Sequence, residues 1–478
     1  MKLLHTYLTL PQQLYQACTP TSVSNPTLLA YNSTLGHELS MTESWAKSDA
    51  GIEFFAGNSR PEDYASVATA YAGFQFGQYN PQLGDGRALL LGETADREGL
   101  TQEIQLKGAG PTPYSRGGDG RSALGPVIRE YLISEAMHAL GVPTTRALMA
   151  LRTGDKVIRD RRQPGGILVR VAPSHIRFGS FQFAAARQDE DALKALMELA
   201  FARHYPEMAP QFRTPQQLLK LVTERTARLV AQWISIGFIH GVMNTDNLSI
   251  GGLTLDYGPC AFQDTFSWQQ VFSSIDTGGR YRYAQQPNIA LWNLARLAEA
   301  LLPIWPGTDD QKVAEAEAIL HTFEPTFERH RNSLFAAKLG VTNDPAVYQS
   351  IIEPFLNFLD EHSLDFTLSF ALIEALCKGN EANLRLIRAA LPQHETLEDF
   401  WHKAAFQQEQ WQKAPVNPLV IPRNHQIETA IKKAEQGDDS ETSRLFALYT
   451  SQSAEGLTED EIRGPEPGEW LGRTFCGT

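Results

Sequence analysis

Asn247 and Asp256 are the residue pair in this sequence best suited to hold a hard cation. They lie in the stretch His240-Gly-Val-Met-Asn-Thr-Asp-Asn-Leu-Ser-Ile-Gly-Gly-Leu-Thr-Leu-Asp256, where two apolar-polar-apolar triplets, Leu248 to Ile250 and Leu253 to Leu255, flank Gly251-Gly252. That pattern predicts a two-residue hairpin turn. Such a turn sets Asn247 directly opposite Asp256, with Cβ atoms about 4.5–5.5 Å apart on one face. An amide oxygen and a carboxylate so placed suit Mg²⁺ or Mn²⁺, which take oxygen ligands and keep positions open for phosphate. Asp246, next in the chain to Asn247, is a carboxylate able to accept a proton from an incoming hydroxyl. An ordinary surface hairpin with polar ends, and an Asp that merely caps a turn, fit the same pattern.

Candidates for holding phosphates lie upstream. Gly84-Asp-Gly86-Arg87 precedes the apolar run ALLL, and a Gly-x-Gly beside a strand lets backbone amides approach phosphate oxygens, although most such tripeptides are plain turns. Lys107 ends the strand-like EIQLK, and Glu130 follows on a helix where it can pair with that ammonium; Glu135 and Lys156 offer other pairings. Gly117-Gly-Asp119-Gly120-Arg121 is a second flexible, partly charged loop, or a solvent loop. Arg170 and Arg177 are candidate bidentate phosphate ligands or ordinary surface arginines.

The elements that must carry these residues are of two kinds. Residues 74–185 hold short strand-like runs (ALLLGE, TQEIQLK, GGILVRVA) and one clear helix, PVIREYLISEAMHALG, with Gly141 and Pro143 as stop signals. Residues 186–414 are dominated by helical patterns interrupted by the one hairpin. Residues 1–73 read as an N-terminal extension, and 415–478 as polar helices and a tail ending in RTFCGT. The expected class is α+β: a small sheet-rich N-lobe followed by a large helical C-lobe, the order of a protein-kinase-like two-lobed fold. Asp256-Tyr-Gly resembles the kinase D-F-G element, and His240 stands seven residues before Asn247 as in H-R-D-x-x-x-x-N. Val242 stands where a kinase carries its catalytic Asp and can neither accept a proton nor bind metal, which argues against conventional phosphotransfer.

The chain has 478 residues, 42% of them hydrophobic, as a folded globular protein requires. Its formal charge of -13 repels a nucleic-acid backbone, so nucleic acid is not an expected partner. MKLLHTYLTLPQQLYQA lacks the apolar core and cleavage site of a secretory signal, and no uncharged run approaches the ~18 residues that cross a bilayer. A cytoplasmic protein without membrane contact is the expectation. Cys18, Cys260, Cys377 and Cys476 are widely spaced and predict neither a zinc site nor a disulfide framework.

The segments LGDGRALLLGE, EIQLKGAGPTPYSRGGDGRSALGPVIREYLISEAMHALGVPTTRAL and GFIHGVMNTDNLSIGGLTLDYGPCAF resemble the selenoprotein O family of kinase-like protein adenylyltransferases. The resemblance covers nearly the whole length, including a Cys third from the end, where some relatives carry selenocysteine. It implies a pseudokinase fold in which ATP lies reversed, so that the α-phosphate faces the acceptor. AMP is then transferred to Ser, Thr or Tyr of a protein substrate, and pyrophosphate leaves. UMP transfer from UTP with manganese is implied as well. By matching position, Gly84, Gly86, Arg87, Lys107, Asp119, Gly120, Arg170, Arg177 and Asp256 would line the nucleotide, Asp246 would accept the proton, Asn247 and Asp256 would hold Mg²⁺ or Mn²⁺, and Glu130 would support Lys107. The tail would fold back so that Cys476 meets Cys260 as a redox latch, or else remain a mobile end with an idle thiol. A conventional kinase for a protein or small metabolite, and a non-catalytic nucleotide-binding scaffold, are the competing functions.

Overall fold

Alternation of apolar and polar residues builds the centre of the protein. In the strand Thr101–Lys107, Ile104 and Leu106 point to one face while Glu103, Gln105 and Lys107 share the other. The computed structural model describes residues 3–59, 65–403 and 417–474. Its strands are β1 (Tyr15–Ala17), β2 (Thr27–Tyr31), β3 (Val67–Thr69), β4 (Gly73–Gln75), β5 (Gln78–Asn80), β6 (Ala88–Ala95), β7 (Thr101–Lys107), β8 (Ser122–Ala123), β9 (Arg146–Ile158) and β10 (Arg162–Ala172). An antiparallel sheet runs β1-β3-β6-β7-β10-β9-β2, with β8 also on β10. Register pairs Arg170 with Gln105 and Leu168 with Lys107, so Arg170 and Lys107 emerge on the same face. Strands β1, β2 and β3, from the segment read as an extension, belong to this sheet.

The predicted helix is observed as Leu124–Ala139, with the left-handed Gly141 just beyond its end. With α1 (Ser33–Glu38), α2 (Glu43–Ala46) and α3 (Asp49–Phe55) before it, this is α4. Next come α5 (Phe178–Ala186), α6 (Glu190–His204), α7 (Pro215–Ser235) and α8 (Gln286–Leu301). Further helices fill the chain to Lys403, and Asn424–Glu435 and Ser440–Ser451 follow. The result is an α+β architecture in which an antiparallel sheet with α4 precedes a helical region. The long strand β9, whose charged outer half hides its periodicity, is absent from the strand-like runs picked out above.

The predicted two-residue hairpin does not form. Leu248 bridges Thr254, one residue out of the expected register, and the reversal is a wider turn closed by Gly252 N donating to Ser249 O at 3.2 Å. Each arm has a better partner elsewhere. Ile250 N donates to Ile176 O and Phe178 N to Leu248 O, both at 3.0 Å, while Thr254 N donates to Pro143 O at 2.9 Å. The Asn247–Asp256 cross-strand pairing is therefore corrected. The excursion is instead clamped at its base, where Phe238–Ile239 pairs with Ala261–Phe262.

Candidate functional site

One cavity of about 770 Å³ gathers every residue named above for nucleotide, metal or proton transfer: Gly84, Gly86, Arg87, Lys107, Asp119, Gly120, Arg170, Arg177, Asp246, Asn247 and Asp256. Its size suits a small-molecule ligand. Arg87, Lys107 and Arg159 also line an adjoining cavity of about 480 Å³, so the join between the two is cationic.

At the sheet end, Lys107 meets two carboxylates. Its Nζ lies 2.5 Å from Glu130 Oε2 on α4 and also contacts Asp256 Oδ1. Arg170, 2% exposed, closes the group: one guanidinium nitrogen is 3.1 Å from Glu130 Oε1, donates to Leu255 O at 2.8 Å and lies 3.5 Å from Asp256 Oδ1. Its other nitrogens donate to Gln105 Oε1 at 2.6 and 3.2 Å. Of the two candidate partners for Lys107, Glu130 is the one used. Glu135 turns to Arg146, 2.9 Å away, and accepts from Asn32.

Asp246 sits on a short 3₁₀ turn, Thr245–Asn247. Its Oδ1 is buried and has no hydrogen-bond partner among the described residues, while Oδ2 accepts from Gln75 Nε2 at 3.4 Å. Arg177 donates to the main-chain oxygen of Asp246 at 2.7 Å, stacks over Tyr71 and approaches Asp85 at 3.7 Å. Asn247 Nδ2 donates to Val242 O at 3.0 Å, which leaves its Oδ1 available as a ligand. Asp256 keeps Oδ2 outside its cation contacts. Among the described residues no three His, Cys, Asp or Glu side chains cluster to hold a metal, but an amide, a carboxylate and phosphate oxygens form a donor set that fits a hard cation.

The glycines serve close approach. A Cβ on Gly84, whose φ is +83°, would overlap the Tyr114 ring, and one on Gly120, at φ +61°, would strike the Gly110 main chain. Asp119 is the most exposed of the group and is tied to Arg159 at 2.9 Å.

A sequence model of the family described as protein adenylyltransferase SelO matches residues 2–451. The chain belongs to that family. It is 46% identical to the protein nucleotidyltransferase YdiU of Rhodopseudomonas palustris strain BisB5, with 99% of this chain and 98% of that protein covered. The proteins of the same name from Bradyrhizobium sp. strain ORS 278 and Methylorubrum populi are each 45% identical, with the same coverage.

The electrostatics of this SelO-family site separate its two acids. Burial raises Asp246 to about 6, against the lowering influence of Arg177 and Gln75. Burial opposes the charge of Asp256 as well, but Lys107, Arg170 and Arg87 outweigh it and hold that carboxylate far below its usual range. Burial pushes His240 down to about 4, so its ring is neutral near pH 7, packed against Trp233. Residues not singled out from the sequence also line the cavity, among them Tyr71, Gln75, Asp85 and Asn244. Alternation in Phe74-Gln-Phe76-Gly77-Gln-Tyr79 was the available signal for the β4–β5 hairpin that brings in Gln75. Cys260 is buried and its thiol is pushed up to about 12 by burial. Cys476, its proposed redox partner, lies outside the described residues. Among the described residues no helix is long and apolar enough to cross a membrane.

Proposed function

We propose that the chain transfers AMP from ATP to Ser, Thr or Tyr hydroxyls of proteins, in the cytoplasm, with UTP and manganese supporting UMP transfer. The working cleft lies between a kinase-like N-lobe at 74–185 and C-lobe at 186–414, with 1–73 and 415–478 as extensions. The observation that carries this reading is the make-up of the cavity: a buried, unpartnered carboxylate oxygen on Asp246 shares one site with a cation cluster anchored by Glu130 and Asp256.

In this reading the hydroxyl oxygen attacks the α-phosphorus and its proton passes to the Asp246 carboxylate. The bond from that phosphorus to the bridging oxygen breaks, and pyrophosphate leaves with the electron pair. Lys107, Arg170 and Arg87 stand where they counter the phosphate charge, and Glu130 keeps the first two in place. The raised pKa of Asp246 suits a base: the group is mostly ionised at neutral pH yet basic enough to take the proton. Asn247 and Asp256 would hold Mg²⁺ or Mn²⁺, which would neutralise phosphate charge as transfer proceeds. Val242, beside Asp246 in the lining, supplies no second base.

The test is ATP labelled separately on the α- and γ-phosphates. Protein should carry α label and no γ label; γ label on protein with ADP released would replace this reading with a conventional kinase. ATP binding without transfer of either label would leave the non-catalytic scaffold.

A further inference from the structure

We propose that the Asp246 end of the cavity is a docking groove for an acidic acceptor segment, in which the modified hydroxyl is flanked by an apolar residue and by Asp or Glu. This rests on the protein-adenylyltransferase reading and adds the class of protein substrate. Two walls form the groove. One is the β4–β5 hairpin, which exposes Phe76 (37%) at its tip and Tyr79 (41%) on β5; the other is the segment around Ile275, which is 57% exposed. Phe76 and Ile275 line the same cavity as Asp246. Exposed apolar groups at the mouth of a polar site mark a surface that a partner covers.

Both walls are fixed to the turn that carries the base. Phe74 N donates to Thr245 Oγ1 at 2.8 Å, Phe76 N to Asn244 Oδ1 at 3.1 Å, and the Tyr281 hydroxyl to the same Asn244 oxygen at 2.6 Å. A segment lying between the walls is therefore held in register with Asp246.

Charge selects the occupant. The Arg280 guanidinium lies 4.9 Å from the Trp292 ring centroid and below the hairpin tip, where a Cβ on Gly77 would be 3.8 Å from it. Among the described residues Arg280 has no ion pair. The nearby Asp276 carboxylate accepts from the Arg280 and Tyr281 main-chain N–H groups. Arg116, exposed on the cavity rim, likewise has no ion pair there. Arg296 also stacks on Trp292 but is paired to Glu299 at 2.6 Å. Arg280, stacked on aromatic rings and free of a carboxylate partner, is preorganised for an incoming carboxylate. Arg116 on the cavity rim and Arg280 under the hairpin tip run against the -13 charge of the chain, so they attract acidic segments toward the cavity mouth.

The experiment uses the full chain, α-labelled ATP and hydroxyl peptides identical except for Glu or Lys flanks. The acidic peptide should have kcat/KM about tenfold higher, an advantage that shrinks as NaCl rises. Arg280→Glu should raise KM for the acidic peptide about tenfold, leave ATP affinity unchanged and favour the Lys-flanked peptide. Arg116→Glu, on an exposed loop, should shift the preference in the same direction. Equal kcat/KM for both peptides, or a preference that neither variant moves, would overturn the docking assignment while adenylyl transfer stands. Absence of α label on every peptide and protein would instead fail the underlying transfer reading, and the docking assignment with it.

Discussion

Replacing Gly73 by Ala tests the placement of the base without touching its chemistry. A Cβ at Gly73 would stand 2.6 Å from Asp246 Oδ1 and 3.0 Å from its Cβ and Cγ, where ordinary contacts begin at 3.4 Å. Asp246 must therefore move or rotate by up to about 0.8 Å. Gly73 lies in a strand without left-handed backbone, so Ala adds no strain of its own. Since a misplacement of about 1 Å costs on the order of 100-fold in rate, kcat should fall about 10- to 100-fold, equivalent to about 1.4–2.7 kcal/mol in the barrier. The assay is α-label transfer to protein, with ATP affinity and melting temperature measured in parallel. Both should stay near wild type, because the three atoms nearest the added methyl all belong to Asp246. A Gly73→Ala protein with kcat within twofold of wild type would refute the claim that Asp246 acts from this position.

Asp246 at about 6 makes kcat/KM fall as pH drops through that value, because the protonated acid cannot accept the hydroxyl proton. Arg177→Met removes a cation that favours the charged form, so the acidic limb should move to higher pH; a limb that stays in place in a pH–rate profile would exclude Asp246 as its source. Asp256→Ala should abolish metal-dependent α-label transfer, whereas Asp246→Asn should leave ATP binding intact while slowing transfer; full activity in Asp256→Ala would remove the metal assignment. Arg423 holds Asp264 and Asp365, each at 2.8 Å, and is 1% exposed. Arg423→Met strands two buried carboxylates and should cost about 3–5 kcal/mol near neutral pH by denaturant unfolding, with less loss in acid, where burial already favours their protonated forms.

What could be read from the sequence was local. Lys107 at the end of an alternating strand and Glu130 in a 16-residue helix are set by period and are found where expected. Choosing Glu130 over Glu135 came from the family resemblance and not from periodicity: the two lie about 140° apart around the helix, and packing decides which one faces the sheet. The hairpin reading failed for the same reason in reverse. Its two arms match each other in pattern, but the main-chain partners of Ile250 and Thr254 are Ile176 and Pro143, far away in the chain. Tyr281 had no signal at all, Gln75 only the alternation of its hairpin and Asn244 only a polar turn, since each matters through the fold that brings it to Asp246.

The C-terminal part is built into the site through pairs of adjacent residues. On α4, Glu130 holds Lys107 and Arg170, while its neighbour Arg129 donates to Cys260 O at 2.6 Å, in the loop that follows Asp256. Arg129 also donates to Asn424 Oδ1 at 2.7 Å. Next to Asn424, Arg423 is anchored on Asp264 and Asp365, and Thr474 Oγ1 donates to Pro259 O at 2.5 Å. Main-chain oxygens on both residues preceding Ala261 are thus held from outside the cavity, one by α4 and one by the tail. The separation between Glu130 and Asp256, on which the cation cluster depends, is consequently braced by the protein's own side chains. A C-terminal segment so connected does more than cover the surface: it holds the two sides of the cleft at one spacing before any ligand arrives, the preorganisation that electrostatic catalysis requires.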